Sequence, residues 1–327
     1  MSELPPYVTR PAEAVHLQPF LCANTQMYGF YLRANRNAIQ QRLVDPILNA
    51  PAGGATNYQA ISDLVLMSFA MANHCTSTMP PDSAIGWVTE GSWTLWVPLV
   101  TVKREMGIDV AQRFVFYPAY ITVDNSWSVA AGREIYGFPK GYGPVNLPKK
   151  GDPVTHLTTS TMVMETFASS SQGQVRPLVD VVQTEAGTIG GEVWRDLEDA
   201  VSAIAHLLTG NGGHLIVPGL NFAKNLIQLA REEEVPSVFL KQFRDAADGT
   251  RACYQSILEA GSFVDKFNGG GLLTGTYRAT LCNYDSHPIL TDLGLKAGPQ
   301  RLEFPFWVNF DFTVKQGTEV WKAQTNG

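Results

Sequence analysis

The chain has 327 residues, enough for one large domain or two ordinary ones. With 45% hydrophobic and 17% charged residues it can bury a large core, which excludes intrinsic disorder. A net charge of −6, with 24 basic against 30 acidic residues and no basic run longer than Lys149-Lys150, argues against nucleic-acid binding.

The longest apolar stretch, Leu64 to Ala72, falls far short of the roughly 20 residues a membrane span needs. Met1-Ser-Glu-Leu-Pro-Pro has neither a basic nor an apolar leader region, so no secretory signal is expected. Cys22, Cys75, Cys253 and Cys282 lie far apart and read as buried thiols in a reducing compartment, not as a disulfide framework or a zinc site. The expectation is a soluble, cytoplasmic, acidic globular protein.

Up to Asn24 the sequence is Pro-rich and weakly periodic, as expected of an arm (1–24) laid over the body. Asn37 then reads as the N-cap of a short helix carrying Ile39, Leu43 and Val44, limited by Pro46. From Asp63 onward, short runs rich in Val, Thr, Phe, Tyr and Trp alternate with turn residues. Leu64–Met71, Trp93–Val102, Phe114–Val123, His156–Met164, Val238–Phe243, Ala279–Tyr284 and Phe306–Val314 read as strands. Gly91, Asp124-Asn125, Asp248-Gly249 and Gly269-Gly-Gly271 read as turns between them. That number and spacing of strands suggests a largely antiparallel sheet system, closed or nearly closed. Between about 190 and 235 the period changes. Val193, Leu197, Val201, Ile204 and Leu208 recur at helical steps, and a second helical stretch runs from about Leu220 to Glu233. This predicts a helical hairpin inserted into a β-rich chain.

Common site motifs are absent from the sequence. The six histidines form no His-x-x-x-His pair, the glycine-rich stretches match neither dinucleotide nor P-loop patterns, and there is no Gly-x-Ser-x-Gly elbow. The informative stretch is Asp124-Asn125 followed by Gly132-Arg-Glu-Ile-Tyr-Gly-Phe-Pro-Lys140. Proline fixes the backbone next to the lysine, and burial among aromatics would favour the neutral amine, the form that attacks a carbonyl. On spacing alone, a lone lysine in a turn is a solvated surface residue.

That stretch resembles the signature of the acetoacetate decarboxylase-like superfamily. Tyr28-Gly-Phe-Tyr-Leu-Arg33, Gly86-Trp-Val-Thr-Glu90 with Val97-Pro98, Phe239-Leu-Lys-Gln-Phe243 with Asp248-Gly-Thr-Arg251, His287-Pro-Ile-Leu-Thr-Asp292, and Phe310-Asp-Phe-Thr-Val314 with Gly317-Thr-Glu-Val320 resemble further family segments in the same order. The resemblance spans residues 25 to 323 apart from the helical insertion. It implies a single α+β domain over 1–327, a mostly antiparallel β-barrel or cone with peripheral helices. It also implies a lyase in which Lys140 forms a Schiff base with a keto acid. Glu90 matches an active-site glutamate that positions substrate and moves protons, while Arg133, Glu134 and Pro139 hold the signature loop in shape. No metal, nucleotide or prosthetic group is implied, because the imine itself is the electron sink. A homo-oligomer acting on a small carbonyl or keto-acid substrate is implied; that neither nucleic acid nor membrane is a partner is expected from the charge balance and the short apolar runs.

Three positions depart from the family pattern. Lys140 is followed by Gly141 where the decarboxylases carry a second lysine, the neighbouring cation that activates the nucleophile in acetoacetate decarboxylase. The family's N-terminal arginine falls at Thr25, and a second glutamate falls near Met67. These departures remove features suited to gripping acetoacetate. Trp87, Trp93, Phe116, Tyr120 and Tyr136, with Trp96 and Trp127, offer instead the lining of a wide apolar pocket. Phe116 and Tyr120 would share one face of an unbroken strand. The expected reaction is decarboxylation of a β-keto acid larger than acetoacetate, in a biosynthetic pathway for a specialised metabolite. Two alternatives stay open: an aldolase–dehydratase using α-keto acids through the same lysine, and a non-catalytic binding protein on the same scaffold.

Overall fold

A computed structural model describes residues 4–10, 16–106, 108–187, 193–210 and 234–324. Its strands are β1 Phe20–Arg33, β2 Tyr58–Ala60, β3 Leu64–Ser77, β4 Val88–Glu105, β5 Ile108–Val123, β6 Lys140–Tyr142, β7 Val145–Asn146, β8 His156–Val163, β9 Gln174–Glu185, β10 Val193–Trp194, β11 Glu234–Arg244, β12 Ala252–Leu272, β13 Thr276–Leu281, β14 Gln300–Val314 and β15 Thr318–Lys322. The helices are α1 Arg36–Ile39, α2 Ser126–Ala131, α3 Leu197–Gly210 and α4 Ile289–Asp292; α1 runs on as a π-helical stretch, Gln40–Asn49, and α2 as Gly132–Tyr136.

Seven strands close into a barrel. The ring runs β1–β3–β4–β5–β11–β12–β14 and returns from β14 to β1. Every neighbour is antiparallel except β5 and β11, which meet in parallel through the single pair Phe116 and Ser237. Closure removes the exposed edges that long apolar strands would otherwise present. Because side chains alternate along a strand, each barrel strand has an outer and an inner face. On β1, Tyr28, Phe30 and Leu32 point outward and are at most 2% exposed, while Met27 and Tyr31 point inward. The outer face is covered by Ile39, Leu43, Val44 and Leu48 of the first helical segment and by Leu157, Val179, Val181 and Tyr277 from β8, β9 and β13.

The expected strands are all present, most of them longer than their apolar runs. Strand β12 was not expected. It passes straight through Gly269-Gly-Gly271, where a turn was anticipated, because Gly270 and Gly271 pair with Val308 and Trp307 of β14 and with Trp194 and Val193 of β10. Strand β1 begins at Phe20, inside the segment read as an arm. The first helix is capped by Asn35, whose side-chain oxygen accepts from Ala38 N at 3.0 Å, so Asn37 lies inside it. Pro46 does not stop it either: the chain has already widened to π geometry, whose longer hydrogen-bond step relaxes the clash a proline ring makes in an α-helix. Of the predicted helical hairpin, α3 is the first half; the second half falls at 211–233, outside the described residues. Cys22 and Cys75 are buried as expected, whereas Cys253 is exposed and Cys282 half-buried. No described helix is long and apolar enough to cross a membrane.

Candidate active site

Lys140 opens β6, which adds to β5 in parallel with Lys140 opposite Ile121. The sequence before it explains how the side chain is aimed. Asn125 caps α2, its oxygen accepting from Trp127 N at 2.9 Å and Ser128 N at 3.2 Å, while its amide donates to Thr89 O at 2.7 Å. Asp124 accepts from Gly91 N at 2.7 Å, and burial raises its carboxyl above the usual range. The Asp124-Asn125 pair thus ties the start of α2 to both neighbours of Glu90. The helical segment ends at Gly137, in the left-handed region at φ 84°, where a Cβ would lie 2.7 Å from Lys241 Cα. Pro139 then sits in a tight turn closed by Lys140 N donating to Phe138 O at 2.8 Å.

These constraints bring three polar side chains together. Lys140 Nζ lies 3.3 Å from Glu90 Oε2 and donates to Ser128 Oγ at 2.5 Å; Ser128 in turn donates to Glu90 Oε2. The lysine and glutamate side chains are only 13% and 16% exposed. Such a pair interacts more strongly than one in open solvent. Gly132 makes the space: a Cβ there would stand 2.8 Å from Lys140 Cδ and 3.0 Å from Cε. Arg133 reaches the Lys140 carbonyl at 3.4 Å, and Glu134 accepts from Tyr7 OH at 2.8 Å. An amine, a carboxylate and a bridging hydroxyl can exchange protons among themselves and with a carbonyl compound bound at the amine.

The triad sits at one end of a cavity of about 360 Å³ inside the barrel. Glu90 and Lys140 are the only carboxylate and ammonium groups in its described lining; beyond them the walls are mainly aliphatic, aromatic or hydroxylic, with His16, Gln18 and Cys22 as the other polar side chains. Of the expected pocket residues, Thr25, Phe116 and Tyr136 line the cavity, as do Trp96 and Trp127. Three do not. Trp87 is 57% exposed and stacks on His74. Trp93 is wholly buried on the outer face. Tyr120 also faces outward and donates to Asp292 at 2.5 Å, because a bulge shifts the register between Leu95–Tyr120 and Trp96–Pro118 and breaks the alternation with Phe116. Met67, near which the resemblance would set a second glutamate, belongs to the outer core. Gly141 faces Thr161, with room for a Cβ only 3.2 Å from its hydroxyl.

Among the cavity residues not read as site residues from sequence are Ser128, Gly132 and His16. Ser128 and Gly132 lie inside the signature stretch, but nothing in their spacing marks them. His16 is 4% exposed, tilted over Trp127 at 5.5 Å and Phe20 at 6.0 Å, and neither ring nitrogen has a hydrogen-bond partner among the described residues. Cys22 also lines the cavity, its sulfur 3.5 Å from that of Cys75; the hydrogen bond between the two thiols, with burial, pushes the Cys22 thiol up. No group of three or more His, Cys, Asp or Glu among the described residues is arranged to hold a metal ion.

No protein-family model and no curated protein matches this sequence. Solved structures do match the fold. An acetoacetate decarboxylase from Legionella pneumophila is 14% identical, with a TM-score of 0.57 over 96% of this chain and 92% of that one. An acetoacetate decarboxylase-like enzyme from Sphingomonas wittichii RW1 is 14% identical, with a TM-score of 0.56 over 95% and 96%. The enduracididine biosynthesis enzyme MppR, complexed with pyruvate, is 11% identical, with a TM-score of 0.54 over 95% and 93%. The chain has the acetoacetate decarboxylase-like fold.

Proposed function

We propose that the chain is a Schiff-base lyase whose nucleophile is Lys140 and whose reaction is decarboxylation of a β-keto acid larger than acetoacetate. The observation that carries this reading is the placement of the Lys140 amine against Glu90 and Ser128 at the end of an apolar cavity. Glu90, directly or through Ser128, takes a proton from Lys140. The free amine adds to the keto carbon, and loss of water gives a protonated imine. The bond between the α-carbon and the carboxylate then breaks, carbon dioxide leaves, and the electron pair moves to the iminium nitrogen as an enamine. The proton that Glu90 took left with that water, so a proton from solvent, relayed through Glu90, is placed on the α-carbon, and water hydrolyses the imine to release the ketone and free Lys140. Ser128 is a positioning residue that bridges base and nucleophile.

The same imine would serve an α-keto acid in aldol or dehydration chemistry. That second reading is favoured by the likeness in fold to an enzyme complexed with pyruvate and by Gly141, which stands where the decarboxylases have a second lysine. Intact mass after borohydride reduction with β-keto and α-keto acids tests both. A covalent adduct lost in Lys140→Ala supports the imine, and its mass tells whether carbon dioxide has left. Absence of any adduct, with ligand binding that survives Lys140→Ala, would move the assignment to a binding protein.

A further inference from the structure

The cavity is drawn out along the barrel. On β1 alone its lining runs from Phe20 to Tyr31, roughly 35 Å along the strand at about 3.3 Å per residue, and less along the barrel axis because the strands tilt. Glu90, Lys140 and Phe20 mark one end. At the other, Tyr31 and Phe306 meet α3, whose Leu197, Ala200 and Val201 face into the same cavity. Helix α3 is held there by Trp194, just before it, which is 1% exposed and packs at 5.9 Å on Phe306. Between the ends the described walls carry no charge, their polar side chains are scattered hydroxyls such as Thr25, Ser68, Thr94 and Ser237, and two of these are engaged. Thr25 donates to Cys22 O at 3.1 Å, and Ser68 accepts from Trp96 Nε1 at 3.0 Å.

A channel with one reactive polar end and long uncharged walls fits a molecule of the same polarity. We infer that the substrate is a β-keto acid whose keto carbon carries a long unbranched apolar chain, and that α3 forms the end wall that limits its length. The keto group and carboxylate stand at Lys140; the chain lies along Met27, Leu66, Phe116 and Val308 toward Ala200 and Val201. Carbon dioxide leaves and a proton takes its place, so the product is a long-chain methyl ketone. This inference rests on the Lys140 reading for its chemistry but not for its chain preference.

Acetone, 2-octanone and 2-dodecanone, the product class in rising length, are the probes. Borohydride trapping on the wild type should require less ketone as the chain grows, by about fourfold per buried methylene, until the end wall is reached. Val201→Trp, with Leu197→Trp as the second variant should the first fail to fold, should lower the ratio of 2-dodecanone to acetone affinity at least tenfold. Calorimetric affinities of Lys140→Ala for the same ketones separate the two readings. A length preference without any adduct would overturn the lysine chemistry and uphold the channel. Affinity that is flat with chain length in the wild type, or an unchanged ratio in the folded α3 variants, would overturn the channel.

Discussion

The two faces of the barrel are built from the same strands and treat space in opposite ways. Outside, Phe30, Val65, Trp93, Leu95 and Val97 are wholly excluded from solvent beneath the first helical segment and β8, β9 and β13. Inside, the alternate positions of those strands enclose an unfilled volume of about 360 Å³. Protein interiors are otherwise packed like crystals, and apolar voids forfeit contact energy. The folding energy of this chain therefore resides mainly in the outer layer, and the inner face is free to be shaped by what it holds. The two positions at which the resemblance fails before Lys140 divide the same way: Thr25 lies on the inner face, Met67 on the outer.

The largest effect should come from damaging the packed side. Trp93→Ala should cost about 3–5 kcal/mol in chemical denaturation, whereas Phe116→Ala, which enlarges an existing void and loses edge contacts with Phe114 and Trp96, should cost less. Equal losses would mean that the inner face carries stability as well. Gly132→Ala is the converse test, a blow to the inner face alone. Its methyl group displaces the Lys140 side chain, so borohydride trapping should slow by about 100-fold while the melting temperature moves little.

His16→Phe sharpens the contrast further. Removing a buried ring whose nitrogens have no partner among the described residues, and keeping an aromatic ring beside Trp127, should raise stability by about 1–3 kcal/mol. The smallest effect is a pH dependence on the outer side. Burial lowers the pKa of His287 from its usual value near 6.5, so the folded state binds fewer protons than the unfolded one. That contribution is present above about pH 6.5 and is lost as pH falls below it. The melting temperature of the wild type should drop more between pH 7.5 and 5.5 than that of His287→Gln. The raised carboxyls of Asp124 and Asp292 act in the opposite direction but cancel in this comparison.

What could be read from sequence follows this division too. The closed antiparallel barrel was legible from strand periodicity together with family resemblance, because the outer core imposes a strong alternation. Lys140 and Glu90 were singled out only through the resemblance, since no local rule separates a reactive lysine from a solvated one; that the two side chains meet is what the structure adds. Whether a given aromatic faces in or out was not legible. One bulge near Ala119 turns Tyr120 away from Phe116, and a bulge leaves no residue signature of its own. Ser128 and His16 were invisible for a related reason: each is set in the cavity beside a residue far away in sequence, Glu90 for Ser128 and Trp127 for His16. Glycines misled at 269–271, where they permit close approach of Trp307, Val308 and Trp194 inside a sheet instead of marking a turn.

The single parallel pair between Phe116 and Ser237 has a mechanical meaning. A closed ring of strands behaves as a hoop, and a hoop loaded from within parts at its weakest join. Every other join in the ring carries a long antiparallel ladder; this one carries one bridge. Strand β11, on one side of that seam, follows directly on residues 211–233, and Phe116, on the other side, faces the cavity. A bulky guest would therefore stretch the girth of the barrel along one predetermined line, leaving the Lys140 end, anchored by Asp124, Asn125 and Gly137, at its original gauge.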